Sequence, residues 1–171
     1  MNDDRERLRE EAKPILDELA AVGMTVVSVW EIRTLREPYP AAIPVLLRHI
    51  ARPYAQKTLA GLALALATPD AYYALDEIVA AYRRAPHDDG RGLKDGLAVA
   101  ISAIVKKSDL QLVLGLIFDE TLGSERTHFI RNLRKWSNRL PLAAETLDVL
   151  ARNRIFAKAI AKTKSRNQIT P

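Results

Sequence analysis

Apolar residues recur at three- and four-residue intervals through most of the chain, most clearly between Pro40 and Ala67. In PAAIPVLLRHI, residues Ile43, Leu46, Leu47 and Ile50 share one helical face. After a three-residue turn, Leu59, Leu62, Ala63 and Leu66 do the same in YAQKTLAGLALALA. So short a connection makes the two segments an antiparallel pair. Ala60, Ala65 and Ala67 keep helix propensity high and let a partner helix approach closely. Such a hairpin cannot bury its apolar faces alone, so the chain that follows has to cover them.

The same reading places helices elsewhere. Leu8, Ala12, Ile15, Leu16, Leu19 and Ala20 form one face between Asp3 and Val22. Pro14 either kinks this helix or starts a new one, and Gly23 is its stop. TVVSVWEI reads either as a strand or as a helix. With no second strand candidate to pair with, the expectation is a short helix VWEIRTL, capped by Ser28, with Trp30 packed inward. Thr68 and Pro69 open a helix to about Arg84 with Ala71, Leu75, Ile78, Val79 and Tyr82 inward. After the polar loop APHDDGRG, Leu93, Leu97, Ala100, Ile101 and Ile104 make the next stripe. Ser108 or Asp109 caps LQLVLGLIF, Ser124 caps ERTHFIRNLRKW, and Pro141 opens a helix through Leu150. A last segment from about Arg152 to Thr163 has Ile155, Phe156, Ala159 and Ile160 on its apolar side.

Length and composition add limits. The chain of 171 residues can bury a core without staples, and 48% apolar with 27% charged residues is a globular balance. There is no cysteine, which excludes disulfides, thiolate metal sites and cysteine nucleophiles. No apolar run is long enough to span a membrane, and MNDDRERLREE lacks a signal peptide's apolar stretch, so the cytoplasm is the expected location. The net charge of +5 is unevenly placed. Residues 1–119 carry 15 Lys and Arg against 17 Asp and Glu, a balance of −2. Residues 120–171 carry 11 against 4, a balance of +7, which points to an acidic partner meeting the C-terminal half.

Lys57, Lys94, Arg126 and Arg154 each stand near an expected helix start, and Ala60, Leu97, Phe129 and Ala157 follow three residues later. The intervals of 37, 32 and 28 residues lie in the range of helical-hairpin repeats. With Pro44 inside a first helix, a short turn and an Ala-rich second helix, residues 40–163 resemble HEAT-type (armadillo-like) repeats. The resemblance implies an all-α fold of antiparallel hairpins stacked as a short right-handed solenoid. On this reading residues 1–163 are one domain, with 1–38 a divergent N-terminal cap and 164–171 a flexible tail. HEAT arrays generally serve as binding scaffolds through a concave face lined by second helices, and some relatives are enzymes, including alkylpurine DNA glycosylases and phycobilin lyases.

Motifs for catalysis are missing: there is no HExxH, no GxSxG and no GK[ST] phosphate loop. GRGLKDG at 90–96 follows no strand and reads as a loop and helix start. His49, His87 and His128 fall in different hairpins, and His87-Asp88-Asp89 reads as a solvated turn rather than a metal site. Asp76, Glu77, Asp119 and Glu120 read as solvated acids, Tyr82 as core, and Tyr72 and Tyr73 as helix-packing or surface aromatics. No catalytic residue, metal or cofactor is expected.

The strongest constellation is the helix expected from Ser124 to Asn138. Phe129, Leu133 and Trp136 share its buried side, whereas Arg131, Arg134, Lys135 and Asn138 share the opposite sector, with His128 at its edge and Arg139 beyond. Arg154, Lys158 and Lys162 repeat the theme at i, i+4 and i+8 on the last helix. Two such rows suit a line of phosphates or an acidic protein surface better than one small ligand. The expected contact residues are therefore Arg131, Arg134, Lys135, Arg154, Lys158 and Lys162, on a noncatalytic protein-interaction scaffold. The alternative is a nucleic-acid-binding protein or a DNA-repair glycosylase of the HEAT-like class. The glycosylases use Trp, Asp and Arg in a channel, and the basic helices here contain no Asp. Self-association through end hairpins that lack a neighbour is a further expectation.

Overall fold

A computed structural model describes residues 2–87 and 91–166, with side chains for those between 6 and 161. Among the described residues the fold is all-α, with no strand. Its helices are α1 (Asn2–Ala21), α2 (Ile43–Ile50), α3 (Gln56–Ala65), α4 (Leu75–Arg84), α5 (Leu93–Ile104), α6 (Leu110–Phe118), α7 (Ile130–Ser137), α8 (Pro141–Leu150) and α9 (Arg154–Arg166). The chain divides into two compact units, Met1–Ile104 and Val105–Pro171. None of the described helices is long and apolar enough to cross a membrane.

In the N-terminal unit α3 is the centre. After its first turn QKTLAGLALA is apolar on every side, and a helix of that kind has to be enclosed. Leu59, Ala60, Gly61, Leu62, Ala63 and Ala65 are all buried. α2 packs on one side as the hairpin partner and α5 on another, while α4 covers α5. The α3–α5 approach depends on small residues. A methyl group added at Gly96 of α5 would lie 2.8 Å from the Ala63 Cβ and 3.2 Å from the Ala60 carbonyl oxygen.

α1 is continuous through Pro14, and just past its end stands Gly23, whose φ of +89° only glycine adopts easily. The Gly23 and Met24 N–H groups return to the carbonyls of Ala20 and Leu19, at 3.0 and 2.9 Å. Of the face expected to be buried, Ala12, Ile15 and Leu19 are enclosed. Leu8 and Leu16 are only half-buried, and Ala20 is exposed.

Residues 25–38 depart from expectation. In place of a helix over VWEIRTL there is a single 3₁₀ turn, Ile32–Thr34, and Ser28 makes no side-chain cap. The Glu31 carboxylate instead accepts the Val27 N–H at 2.7 Å, and the Ser28 carbonyl accepts the Glu31 N–H at 3.1 Å. Val29 and Trp30 lie against α3 at Gly61, where an added Cβ would sit 2.7 Å from the Val29 Cγ2 and 3.3 Å from the Trp30 Cε2. Tertiary packing on a bare stretch of helix outweighs local helix propensity, and it leaves Trp30 37% exposed rather than packed inward.

The α4 stripe is as expected, with Ala71, Leu75, Ile78, Val79 and Tyr82 buried. Its first turns, Pro69–Ala74, are 3₁₀. Thr68 holds an extended cap conformation without a side-chain cap bond.

In the C-terminal unit, α7 packs against α8 and α9, and α6 packs against Glu120–Phe129. Ile130, Leu133 and Trp136 of α7, Ala143 and Leu150 of α8, and Phe156 and Ile160 of α9 are buried, together with Val113, Leu116 and Ile117 of α6 and with Leu122 and Phe129. Ile155, expected inward, is 44% exposed. Ser124 does not start an α-helix. Glu120–Phe129 is 3₁₀ and breaks at Gly123 (φ 74°, ψ −156°), and α7 begins at Ile130. The cap is Asp119, whose carboxylate accepts the Thr121 N–H and O–H. α9 continues through Arg166, past the expected start of a tail at 164.

The packing contrast between two helical glycines makes a direct test. Gly96→Ala should lower stability by about 1–3 kcal/mol through overpacking against the Ala60 backbone. Gly115→Ala in α6, where nothing lies within 4 Å of the added methyl, should raise it by about 0.5–1 kcal/mol through helix propensity. Urea unfolding of the two variants reads the difference in sign.

Candidate functional site

The basic residues singled out by their spacing lie in the C-terminal unit. Arg131 and Lys135 are exposed on α7, and Arg154 and Lys158 are exposed on α9. Among the described residues none of these four forms an ion pair. Lys162 belongs to α9, but its side chain lies outside the described residues. Arg134 differs from the rest: it is half-buried, and its guanidinium donates to the Ile160 carbonyl of α9. That bond ties α7 to α9 at the edge of the basic sector. Neither helix carries a carboxylate. What the arrangement can do chemically is to present separate cations on two touching helices, suited to recognising anions rather than to moving protons or electrons.

Buried charges, by contrast, close helix ends. Arg126 is 4% exposed. Its Nε donates to the Gly123 carbonyl at 2.8 Å and its NH1 to the Ile117 carbonyl, in the last turn of α6, at 2.9 Å. The guanidinium lies 5.3 Å from the Phe156 ring centre. Lys94, 3% exposed, donates from Nζ to the Ala85 carbonyl beyond α4 at 3.0 Å, and it sits 5.6 Å from the Tyr82 ring centre. The last carbonyls of a helix have no intrahelical partner, and a cation there also meets the negative end of the dipole. The reverse arrangement occurs at the start of α3, where the Glu11 carboxylate of α1 accepts the Ala55 N–H and the Thr58 O–H.

A second carboxylate of α1, one heptad on, clasps α2. Glu18 accepts from Arg48 at 2.8 Å and lies 3.2 Å from the His49 Nε2 and 3.6 Å from Arg52. The His49 Nδ1 is 2.7 Å from the Tyr54 hydroxyl. With its proton on Nε2, the ring accepts the Tyr54 O–H at Nδ1, while Nε2 faces Glu18 without a hydrogen bond. His49 is 0% exposed, so the ring is shut off from solvent. Burial lowers the His49 pKa below the ordinary 6.5. The Arg48 hydrogen bond holds the half-exposed Glu18 carboxyl below its ordinary 4.5. The cluster therefore joins α1 to α2. Sequence reasoning did not single out Glu11, Glu18 or this role of Arg126, because their partners are set by tertiary contacts.

The remaining candidates are soon placed. Among the described residues no three His, Asp or Glu side chains converge to hold a metal ion. Asp88 and Asp89 lie outside the described residues. Leu93 begins α5, so GRGLKDG runs into a helix start, and Lys94 there points to Ala85. Asp76 and Glu77 are exposed in the first turn of α4, Tyr82 is buried, and Tyr73 is exposed. No protein family matches the chain, and no curated protein or solved structure shows significant similarity to it.

Two measurements check these assignments. Lys94→Met and Arg126→Met should each destabilise by about 1–3 kcal/mol, the first by stranding the buried Ala85 carbonyl and the second the buried Ile117 carbonyl. For His49 the folded pKa lies below the unfolded one, so its contribution is complete above about pH 6.5 and is lost as pH falls through that value towards the folded pKa. Glu18 acts in the same direction at lower pH, starting from about 4.5. Urea midpoints between pH 4 and 8 should fall on acidification, and His49→Gln should flatten the limb just below pH 6.5.

Proposed function

We propose that this chain is a noncatalytic protein-interaction scaffold whose C-terminal unit meets an acidic protein surface through Arg131, Lys135, Arg154 and Lys158, joined by Lys162 and by the free edge of Arg134. The observation that carries the reading is a set of exposed, unpaired cations on two touching helices that contain no carboxylate. On this proposal the hairpins are HEAT-like units stacked as a short right-handed solenoid. Packing between second helices of hairpins, α3 with α5 and α7 with α9, supports it. So does a shared local device: Lys94 and Arg126 each reach back nine residues to the end of the preceding helix.

Nucleic acid is the second reading, favoured by the i, i+4 spacing of Arg154 and Lys158, which suits successive phosphates. The glycosylase version gains no support from Trp136, which is buried and so cannot stack on an extruded base.

The experiment replaces Arg131, Lys135, Arg154 and Lys158 together by Ala, which should leave helicity unchanged because all four are exposed. A stoichiometric protein partner captured by the parent and lost by the variant bears out the scaffold reading. Binding of a short duplex that weakens with salt, at a log–log slope of about −3 to −4 for four phosphate contacts, would replace it with the second. Partner capture unchanged in the variant would overturn the assignment of the basic rows.

A further inference from the structure

Two departures from the expected apolar pattern meet in the N-terminal unit. Leu8 and Leu16 belong to the apolar face of α1, yet the rest of the unit covers them only by half. Trp30 is 37% exposed and Val27 is 75% exposed, although both belong to the most apolar stretch outside the helices. These four side chains line one groove of about 270 Å³ between α1, the 27–30 segment and the start of α3. Its charged lining residues are Arg9 and Lys57, both cationic and exposed, and neither forms an ion pair with a described residue. Two nearby carboxylates are already engaged: Glu11 accepts from Ala55 and Thr58, and Glu31 accepts from Val27.

We propose that this groove is a docking site for an acidic segment of a partner polypeptide, which inserts a bulky apolar side chain beside Trp30 and sets carboxylates against Arg9 and Lys57. The volume falls just below the roughly 300–1,000 Å³ of pockets that enclose a drug-sized ligand, and it suits one or two large side chains. Two cations contributed by different helices call for at least two anionic groups. A segment with spaced Asp or Glu supplies them, whereas a long-chain monocarboxylate brings only one. An apolar anchor flanked by opposite charge is also the usual anatomy of a helix or strand seated in a groove.

The test uses the full chain and the emission of Trp30. Trp136 is buried in the other unit and provides a constant background. The probe is a capped synthetic peptide of about twelve residues in which one Leu and one Phe are flanked by Asp and Glu. It should shift the emission to shorter wavelength and saturate. Its Asn/Gln isostere, and the Arg9→Glu/Lys57→Glu variant, should each bind about tenfold more weakly or worse. Both substituted residues are exposed, and circular dichroism checks that the variant is folded. Equal binding of the isostere, undiminished binding by the charge-reversed variant, a response to dodecanoate matching that to the peptide, or no response to the peptide would each overturn the proposal. Substitutions on α7 and α9 should leave this titration unchanged, so its outcome stands apart from that of the basic rows.

Discussion

The ends of its helices are the constraint on which this structure depends. Apart from α1 the described helices are short, and an eight-residue helix such as α2 or α7 leaves about half of its backbone polar groups outside the intrahelical ladder. Those groups cannot be buried unpaired without losing much of what apolar burial contributes. The fold answers with side chains from neighbouring elements. Glu11 closes the start of α3, Gln56 accepts the first N–H of α5, Lys94 reaches the carbonyl beyond α4, and Arg126 reaches the last turn of α6. In each charged case the sign agrees with the helix dipole: the carboxylate is at a start and the cations are at ends.

This constraint also explains why buried charge coexists with a close-packed core. Lys94 and Arg126 lie among Tyr82 and Phe156, where an isolated cation would be strongly disfavoured. Backbone carbonyls supply the missing solvation, and the aromatic faces add to it. The contacts are local in sequence, nine residues in both cases, so the same device recurs once in each unit. The aligned basic positions 57, 94, 126 and 154 thus divide in two. Lys94 and Arg126 are structural, whereas Lys57 and Arg154 are exposed at corresponding positions in the pattern.

Legibility in the sequence follows the range of the interaction. The α2–α3 hairpin, the stripe of α4 and the start of α8 at Pro141 could be read because periodicity and proline placement are local signals. Residues 25–38 could not, since Val29 and Trp30 answer to a glycine some thirty positions away. The stretch before α7 misled for a related reason: Gly123-Ser124 has the look of a stop followed by a cap, while the actual cap is Asp119 and the chain stays 3₁₀ as far as Phe129. In the basic site, exposure of Arg131 and Lys135 could be read from the sector opposite Leu133 and Trp136. The reach of Arg134 to α9 could not, because nothing in one helix's periodicity says what stands beside it.

The same separation bears on where function can reside. Of the cations that make residues 120–171 basic, Arg126 is fully engaged by the fold and Arg134 partly so. Arg131, Lys135, Arg154 and Lys158 have no such role, and exposed like charges on touching helices repel rather than stabilise. Uncovered apolar surface around Trp30 raises a parallel question in the N-terminal unit, where two unpaired cations flank side chains that a monomer gains nothing by exposing. At both surfaces the charged side chains are cations that neither a helix end nor the core engages, in one case alone and in the other beside an apolar groove. A partner carrying carboxylates would neutralise the first set directly. To fit the second it would also have to bring an apolar side chain, so on these proposals the two surfaces would select different sequences even though both would favour acid.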